Sequence, residues 1–221
     1  TDEEIKRIEN ASYITQASYA LVREFVKPGM SEIELAGEMR TEMMRRGADE
    51  IKFFCLGAGS RAQMCHNKPT DNKIQKDDII HLDVGITYDG YCSDFAAAIA
   101  VGKVSEEVAK TYSTMQTAEN AAIESIKPGR PVSEVFQRSM KKAHETMPNY
   151  HREFIGHGIG LEVHEIPVIR SQDETPLEQG MVINLEQRPY SGRILGGIHI
   201  EDTVVVTKHG YRVLTDPPRK L

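Results

Sequence analysis

Ile79-Ile80-His81-Leu82-Asp83 and Val182-Ile183-Asn184-Leu185-Glu186 are two short apolar runs that each end in a carboxylate. Their acids lie 103 residues apart (186 − 83). Working outward, the same punctuation precedes both runs. Lys27-Pro28-Gly29 recurs as Lys127-Pro128-Gly129, an offset of 100 (127 − 27). A long helical pattern leads into each copy, and a Ser-Glu helix start follows each. A second acid comes after each run, Asp94 in the first half and Glu201 in the second, within what reads as a second strand. A chain that repeats itself and offers two carboxylates per repeat predicts a pseudo-two-fold fold with four acids meeting in the middle. Like charges in one cleft raise each other's pKa, so four converging acids do not all stay ionised without cations. Bound metal is the simplest resolution.

The local signals agree with the repeat. Thr1-Asp2-Glu3-Glu4 reads as a capping box. Ile5, Ile8, Ile14, Ala17, Leu21 and Phe25 follow at helical spacing until Pro28-Gly29 stops the helix. Ser31 to Glu34 opens a second helix, which Gly47 ends. Phe53 to Leu56 reads as a buried strand. Ile79–Ile86 and Tyr91–Val101 read as two strands joined at Tyr88-Asp89-Gly90, where Asp-Gly signals a hairpin turn. In the second half, Ser105 caps a helix to about Ile126 and Ser133 opens another to about Thr146. Strands are expected near Arg152–Ile155, Leu161–His164, Met181–Gln187 and Ile198–Thr207. Helix pairs alternating with antiparallel hairpins predict an α+β arrangement, helices outside a curved sheet. No linker separates the halves, so residues 1–221 are expected to form one catalytic domain with an internal repeat of about 1–101 and 102–221. Thr1 opens inside a helix signal, which raises the expectation of a domain cut from a longer protein.

Composition narrows the class. The 221 residues suffice for a substantial core. A net charge of −6 argues against nucleic acid or an anionic membrane as partner. The longest apolar run, Phe95 to Val101, is far too short to span a bilayer, and no signal segment opens the chain. Cys55, Cys65 and Cys92 are odd in number and lack metal-motif spacing, which reads as reduced thiols in a cytoplasmic protein.

Strand alternation assigns faces. His81 and Asp83 share one, and Asp94 shares another with Ala96 and Ala98, whose small side chains leave room beside the acid. Asn184 pairs with Glu186, and His199 with Glu201. Asp83 and Glu186 sit inside apolar runs, where an unpaired charge is costly. Gly156-His157-Gly158-Ile159-Gly160-Leu161-Glu162-Val163-His164-Glu165 adds histidines among glycines that permit close backbone approach. Oxygen-rich coordination with one nitrogen favours divalent Mn, Co, Fe or Zn.

The set Asp83, Asp94, His157, Glu186 and Glu201 resembles, in order and spacing, the five-ligand pattern of the methionine aminopeptidase, prolidase, aminopeptidase P and creatinase superfamily. The resemblance covers nearly the whole chain. It implies the pita-bread fold and two divalent ions. In that scheme Asp83 and His157 hold one ion each, Asp94 and Glu201 bridge them, and Glu186 completes the second ion's shell. It implies hydrolysis by a metal-bridging hydroxide, with Glu186 shuttling a proton and His66 and His164 contacting substrate or the tetrahedral intermediate. The strings Gly156–Pro167 and Ile200–Thr207 look closer to prolidase and aminopeptidase P, relatives that carry an N-terminal domain and are often dimers. Short peptides or dipeptides, of Xaa-Pro type, are the implied substrates, and a homodimer the implied assembly. Two departures stand out. Those relatives usually have Arg where this chain has His199, and Pro-Gly where it has Gln187-Arg188 before the retained Tyr190. His199 and the retained Tyr190 are the expected substrate contacts, and His199 is the one at which carboxylate recognition is expected to differ. A non-peptide amide or amidine hydrolase and a silent binding domain are the rival readings; the complete ligand set weighs against both.

Overall fold

The computed structural model describes residues 1–189, 197–216 and 221. Each half opens with two helices. The first half has α1 (Asp2–Phe25) and α2 (Glu32–Arg45), followed by β1 (Glu50–Ala58), β2 (Ile79–Tyr88), β3 (Tyr91–Cys92) and β4 (Phe95–Ala100). The second has α3 (Glu106–Ser125) and α4 (Val132–His144), followed by β5 (Gly156–Gly158), β6 (Glu165–Val168), β7 (Val182–Gln187), β8 (Ile200–Val206) and β9 (Tyr211–Val213).

The two Lys-Pro-Gly copies make the same turn. Gly29 and Gly129 have φ of 93° and 81°. Met30 N donates to Lys27 O at 3.3 Å, and Arg130 N to Lys127 O at 3.1 Å. Pro followed by a left-handed Gly is the type II pattern, and a Cβ at that Gly would strain it. The glycine amides then tie each turn to its own half, Gly29 to Ile74 O and Gly129 to Leu177 O. Beyond the turns, Thr1, Ser31 and Ser105 cap α1, α2 and α3, the first two as full capping boxes. The fourth helix departs from the reading above. Its N-cap is Pro131, not Ser133. Ser133 N and Val132 N donate to the carbonyls of Asp173 and Thr175, while the Ser133 hydroxyl donates to Glu174. The 173–175 loop thus does the work of a capping side chain.

The strands form two antiparallel sheets, one ordered β1-β2-β3 with β4 also paired to β2, the other β6-β5-β7-β8-β9. Period-two alternation sends alternate residues to opposite faces. Ile80, Leu82, Val84 and Ile86 pack with Ala11, Ile14, Leu35 and Met39 of α1 and α2. Ile183, Leu185, Val204 and Val206 pack with Met115, Ala118, Val135 and Phe136 of α3 and α4. The sheets meet where β4 lies against β8. Both helix pairs therefore cover outer faces, and the opposite faces carry Asp83, Glu186 and Glu201 inward.

Three strand expectations need correction. Tyr91–Val101 is broken at Ser93-Asp94. There Ser93 N still donates to Ile86 O, but Ile86 N donates to the Ser93 hydroxyl at 3.2 Å, which also lies 2.8 Å from Thr15 Oγ1, and Asp94 follows outside the ladder. Arg152–Ile155 is not a strand; β5 begins at Gly156, and among the described residues Ile155 is the one of the four that pairs, its N donating to Ile169 O and its O accepting from Glu186 N. Leu161–His164 is a bend, and β6 begins at Glu165. Gly160 N donates to Glu162 O, and Glu162 N to the Glu165 carboxylate, closing a tight loop that the alternating side chains disguise. The Asp89-Gly90 hairpin is as expected, with φ of 50° and 80°, the positive pair that a type I′ turn requires.

Candidate metal centre

Three groups of donor atoms cluster among the described residues, each within 4.8 Å: Asp83 with Asp94 and Glu201, Asp94 with His157 and His164, and Asp83 with His81 and His199. The backbone explains the convergence. Asp83 stands between Ala96 on β4 and Cys55 on β1, both small side chains that leave room beside the acid. Glu186 stands opposite Glu201 in the β7–β8 ladder. His157 is on β5, paired to Asn184. A Cβ at Gly156 would collide with Asn184 O, and one at Gly158 with Ile166 O, so glycines alone let β5 thread between β7 and β6.

Neighbouring side chains orient the donors. Asn184 Nδ2 donates to Glu201 Oε1 at 2.6 Å, and Thr203 Oγ1 to Asn184 Oδ1 at 2.9 Å. Glu201 Oε2 is buried and has no hydrogen-bond partner among the described residues. His157 Nδ1 lies 3.0 Å from Gly158 O, which turns Nε2 toward the acids, 3.4 Å from Asp94 Oδ2. Glu186 Oε2 receives Arg152 Nη2 at 2.9 Å and lies 3.4 Å from His199 Nε2.

The charges are unbalanced as the sequence implied. Burial, then Asp94 and Glu186, push Asp83 well above the carboxylate range. Burial, then Asp94 and Asp83, do the same to Glu201. Burial also pushes Glu186 up, but the adjoining His199, with Arg152 and His157, outweighs it and holds Glu186 at about 2. Burial lowers His157, yet Asp94 more than compensates and leaves it raised. Burial lowers His164, with His157 adding to the effect. A buried, partnerless carboxylate oxygen among like charges fits a divalent cation, and the oxygen-plus-imidazole donors suit a hard or borderline one.

These groups open into a cavity of about 810 Å³ whose walls include Asp83, Asp94, His157, His164, Glu186, Arg188, His199, Glu201 and His66. Every proposed ligand thus faces one space. His66 is exposed at the rim, and His164 lies close to His157, their ring centroids 4.1 Å apart. Tyr190 lies outside the described residues. Sequence reasoning missed Arg152, whose buried guanidinium holds Glu186, and the pairing of His81 with His199 at 3.2 Å. Arg152 sits in a stretch that reads as a strand, so nothing marked it. His81 had a signal, its place two residues before Asp83 on the same face.

Residues 6–208 match the model of metallopeptidase family M24. The chain belongs to this family. Among curated proteins, the Xaa-Pro dipeptidase of Pyrococcus furiosus is 35% identical over 224 residues, covering 100% of this chain and 64% of that protein. An uncharacterized peptidase of Bacillus subtilis is 35% identical over 225 residues, covering 100% of this chain and 63% of the relative. Among solved structures, X-Pro aminopeptidase from Thermotoga maritima superposes with a TM-score of 0.93 at 30% identity, over 100% of this chain and 63% of that one. Prolidase from Pyrococcus furiosus gives 0.92 at 34% identity, over 99% and 65%. This M24 chain has the pita-bread α+β fold. It spans about 63% of the length of the curated relatives it matches.

Proposed function

We propose that this chain is the catalytic part of a metal-dependent peptidase that removes or splits residues at Xaa-Pro bonds of short peptides or dipeptides. The observation that carries the reading is the convergence of Asp83, Asp94 and Glu201 with the Asp94–His157–His164 group on one cavity wall. Xaa-Pro substrates are assigned because the M24 relatives named above include an Xaa-Pro dipeptidase and an X-Pro aminopeptidase.

Asp83, Asp94, His157, Glu186 and Glu201 would hold two divalent ions, drawn from Mn, Co, Fe or Zn. When bound, the pair supplies a Lewis acid and a water acidic enough to act as nucleophile near neutral pH. The protein's own groups do the rest. Both contacts to Glu186 fall on Oε2, which leaves Oε1 free to face the ion, and Glu186 would also relay a proton toward the leaving amine. His164, beside His157 at the mouth of the cavity, would donate to oxygen charge developing on the scissile carbonyl, and His66 at the rim would hold the peptide. His199 stands where substrate contacts are expected, deep in the cavity wall. A cytoplasmic location is part of this proposal; among the described residues no helix is long and apolar enough to cross a membrane. A homodimer is the assembly proposed.

Turnover of Xaa-Pro dipeptides, Xaa-Pro-Yaa tripeptides and non-peptide amides by Mn- or Co-supplemented protein tests the reading. Cleavage confined to one of the peptide classes supports it. Cleavage of the amides alone would replace it with the rival hydrolase.

A further inference from the structure

His81 and His199 form a pair that the five-ligand scheme does not use. Both are buried, at 0% and 3% exposure, one on β2 and the other just ahead of β8. His81 Nε2 and His199 Nδ1 point at each other across 3.2 Å, with the rings nearly parallel at 16°. Asp83 joins them, all three offering donor atoms within 4.8 Å of one another. Together with Asp94, His157 and His164, this makes two groups of one aspartate and two histidines, linked through the Asp83–Asp94–Glu201 acids.

We propose that His81 Nε2 and His199 Nδ1 are metal ligands, completing with Asp83 a nitrogen-rich shell for the ion that Asp83 holds. The inference rests on the metallopeptidase reading above and adds two ligands to it. Two nitrogens bound at about 2.1 Å to one ion and about 100° apart are themselves about 3.2 Å apart, the separation observed. The far nitrogen of His199, Nε2, lies 3.4 Å from Glu186 Oε2. A carboxylate behind a ligating imidazole is the usual way its tautomer and orientation are fixed. Glu186, itself held by Arg152, is the carboxylate on the far side of that imidazole. His81 and Asp83 are two residues apart on one face of β2, so both side chains stand on the same side of the sheet. Imidazole shifts a site's preference from Mn toward Zn, Co or Ni, whereas carboxylates alone favour Mn or Mg.

The test uses the metal alone, read by affinity and by X-ray absorption, on the full chain. Wild type, His81→Leu, His199→Gln and Asp94→Ala are compared, with circular dichroism of the metal-free proteins to confirm folding. His81→Leu fills the buried space without a nitrogen; His199→Gln keeps a polar group if the Leu variant fails to fold. The expected result is that both histidine variants lose imidazole scattering around bound Zn and bind Zn about tenfold or more weakly, with Mn affinity changed less. Unchanged Zn affinity and scattering in both, while Asp94→Ala loses its ion, overturns this inference and leaves the metallopeptidase reading standing. A wild-type protein that binds neither Zn nor Mn overturns both.

Discussion

Arg152 Nη2 lies 2.9 Å from Glu186 Oε2, and the Arg152 side chain is 1% exposed. A buried cation behind the Glu186 carboxylate keeps that acid ionised and aimed. The His199 imidazole and the Arg152 guanidinium hold Glu186 at about 2, below its ordinary 4.5. A depressed carboxylate stabilises the fold above its unfolded pKa, and that stability is lost as pH falls from about 4.5 to about 2. Arg152→Gln should shrink this acid-sensitive part and leave a buried, less well-paired charge, at a cost of about 3–5 kcal/mol near neutral pH. Urea unfolding of metal-free protein at several pH values measures both. A variant as stable as wild type at pH 7, with the same acid limb, would show that the pair contributes nothing.

Asp94→Ala removes an acid shared by two of the three donor groups. Metal-dependent turnover should vanish while the metal-free protein folds as before, because one of several crowded like charges has gone. Elemental analysis and circular dichroism report the two halves of this expectation. Full turnover in the variant would sink the dinuclear arrangement.

Metal uptake should release protons. Asp83 and Glu201 are pushed well above the ordinary carboxylate range, so without a cation they retain protons at pH values where free carboxylates have lost theirs. Ions bind the deprotonated forms, so affinity should rise with pH. The sign for stability is opposite. A raised folded pKa stabilises the metal-free fold at low pH, and that contribution is lost as pH rises through the raised values. Calorimetric titration in buffers of different protonation enthalpy detects the released protons. Uptake without proton release would mean that the acids are already ionised.

Glu32 anchors the segment that carries His66. Its fully buried carboxylate accepts from Ala58 N, Arg61 Nε, Thr70 N, Thr70 Oγ1 and Asn72 Nδ2, all at 2.9 to 3.1 Å. These contacts pin both ends of the loop between β1 and β2. Glu32→Ala should cost about 3–5 kcal/mol, because it strands Arg61 and several buried donors. It should also reduce the effect of a second substitution at His66, since that side chain is then no longer held at the rim. Additive losses in the double variant would contradict the coupling.

His164→Ala should lose most activity. Its place beside Asp94 and His157 makes the metal content of the variant informative. Retained metal supports the substrate-facing role; lost metal makes His164 a ligand.

Much of this was legible in the chain. The repeat of Lys-Pro-Gly is visible because a type II turn needs Pro and then Gly, so a backbone requirement is written as residue identity. Asp83 and Glu186 are visible because charges inside apolar runs demand a partner. Other features leave no local mark. Ser133 has the chemistry of an N-cap, but α4 begins two residues earlier, where a distant loop satisfies its amides. Leu161-Glu162-Val163-His164 alternates like a strand yet bends, because the Glu165 carboxylate competes for the backbone. Arg152 reaches Glu186 across 34 positions of sequence, and the His81–His199 contact spans 118. Such pairings depend on how the two sheets meet, which no local pattern encodes.

The central claim is that the inward faces of the two halves build one two-ion centre. Metal content per chain, measured after saturation with Mn or Co and removal of free ion, tests it most directly. The account predicts two ions per wild-type chain and loss of metal in Asp94→Ala. Wild-type protein without stoichiometric metal, or with the same metal content as Asp94→Ala, would contradict it.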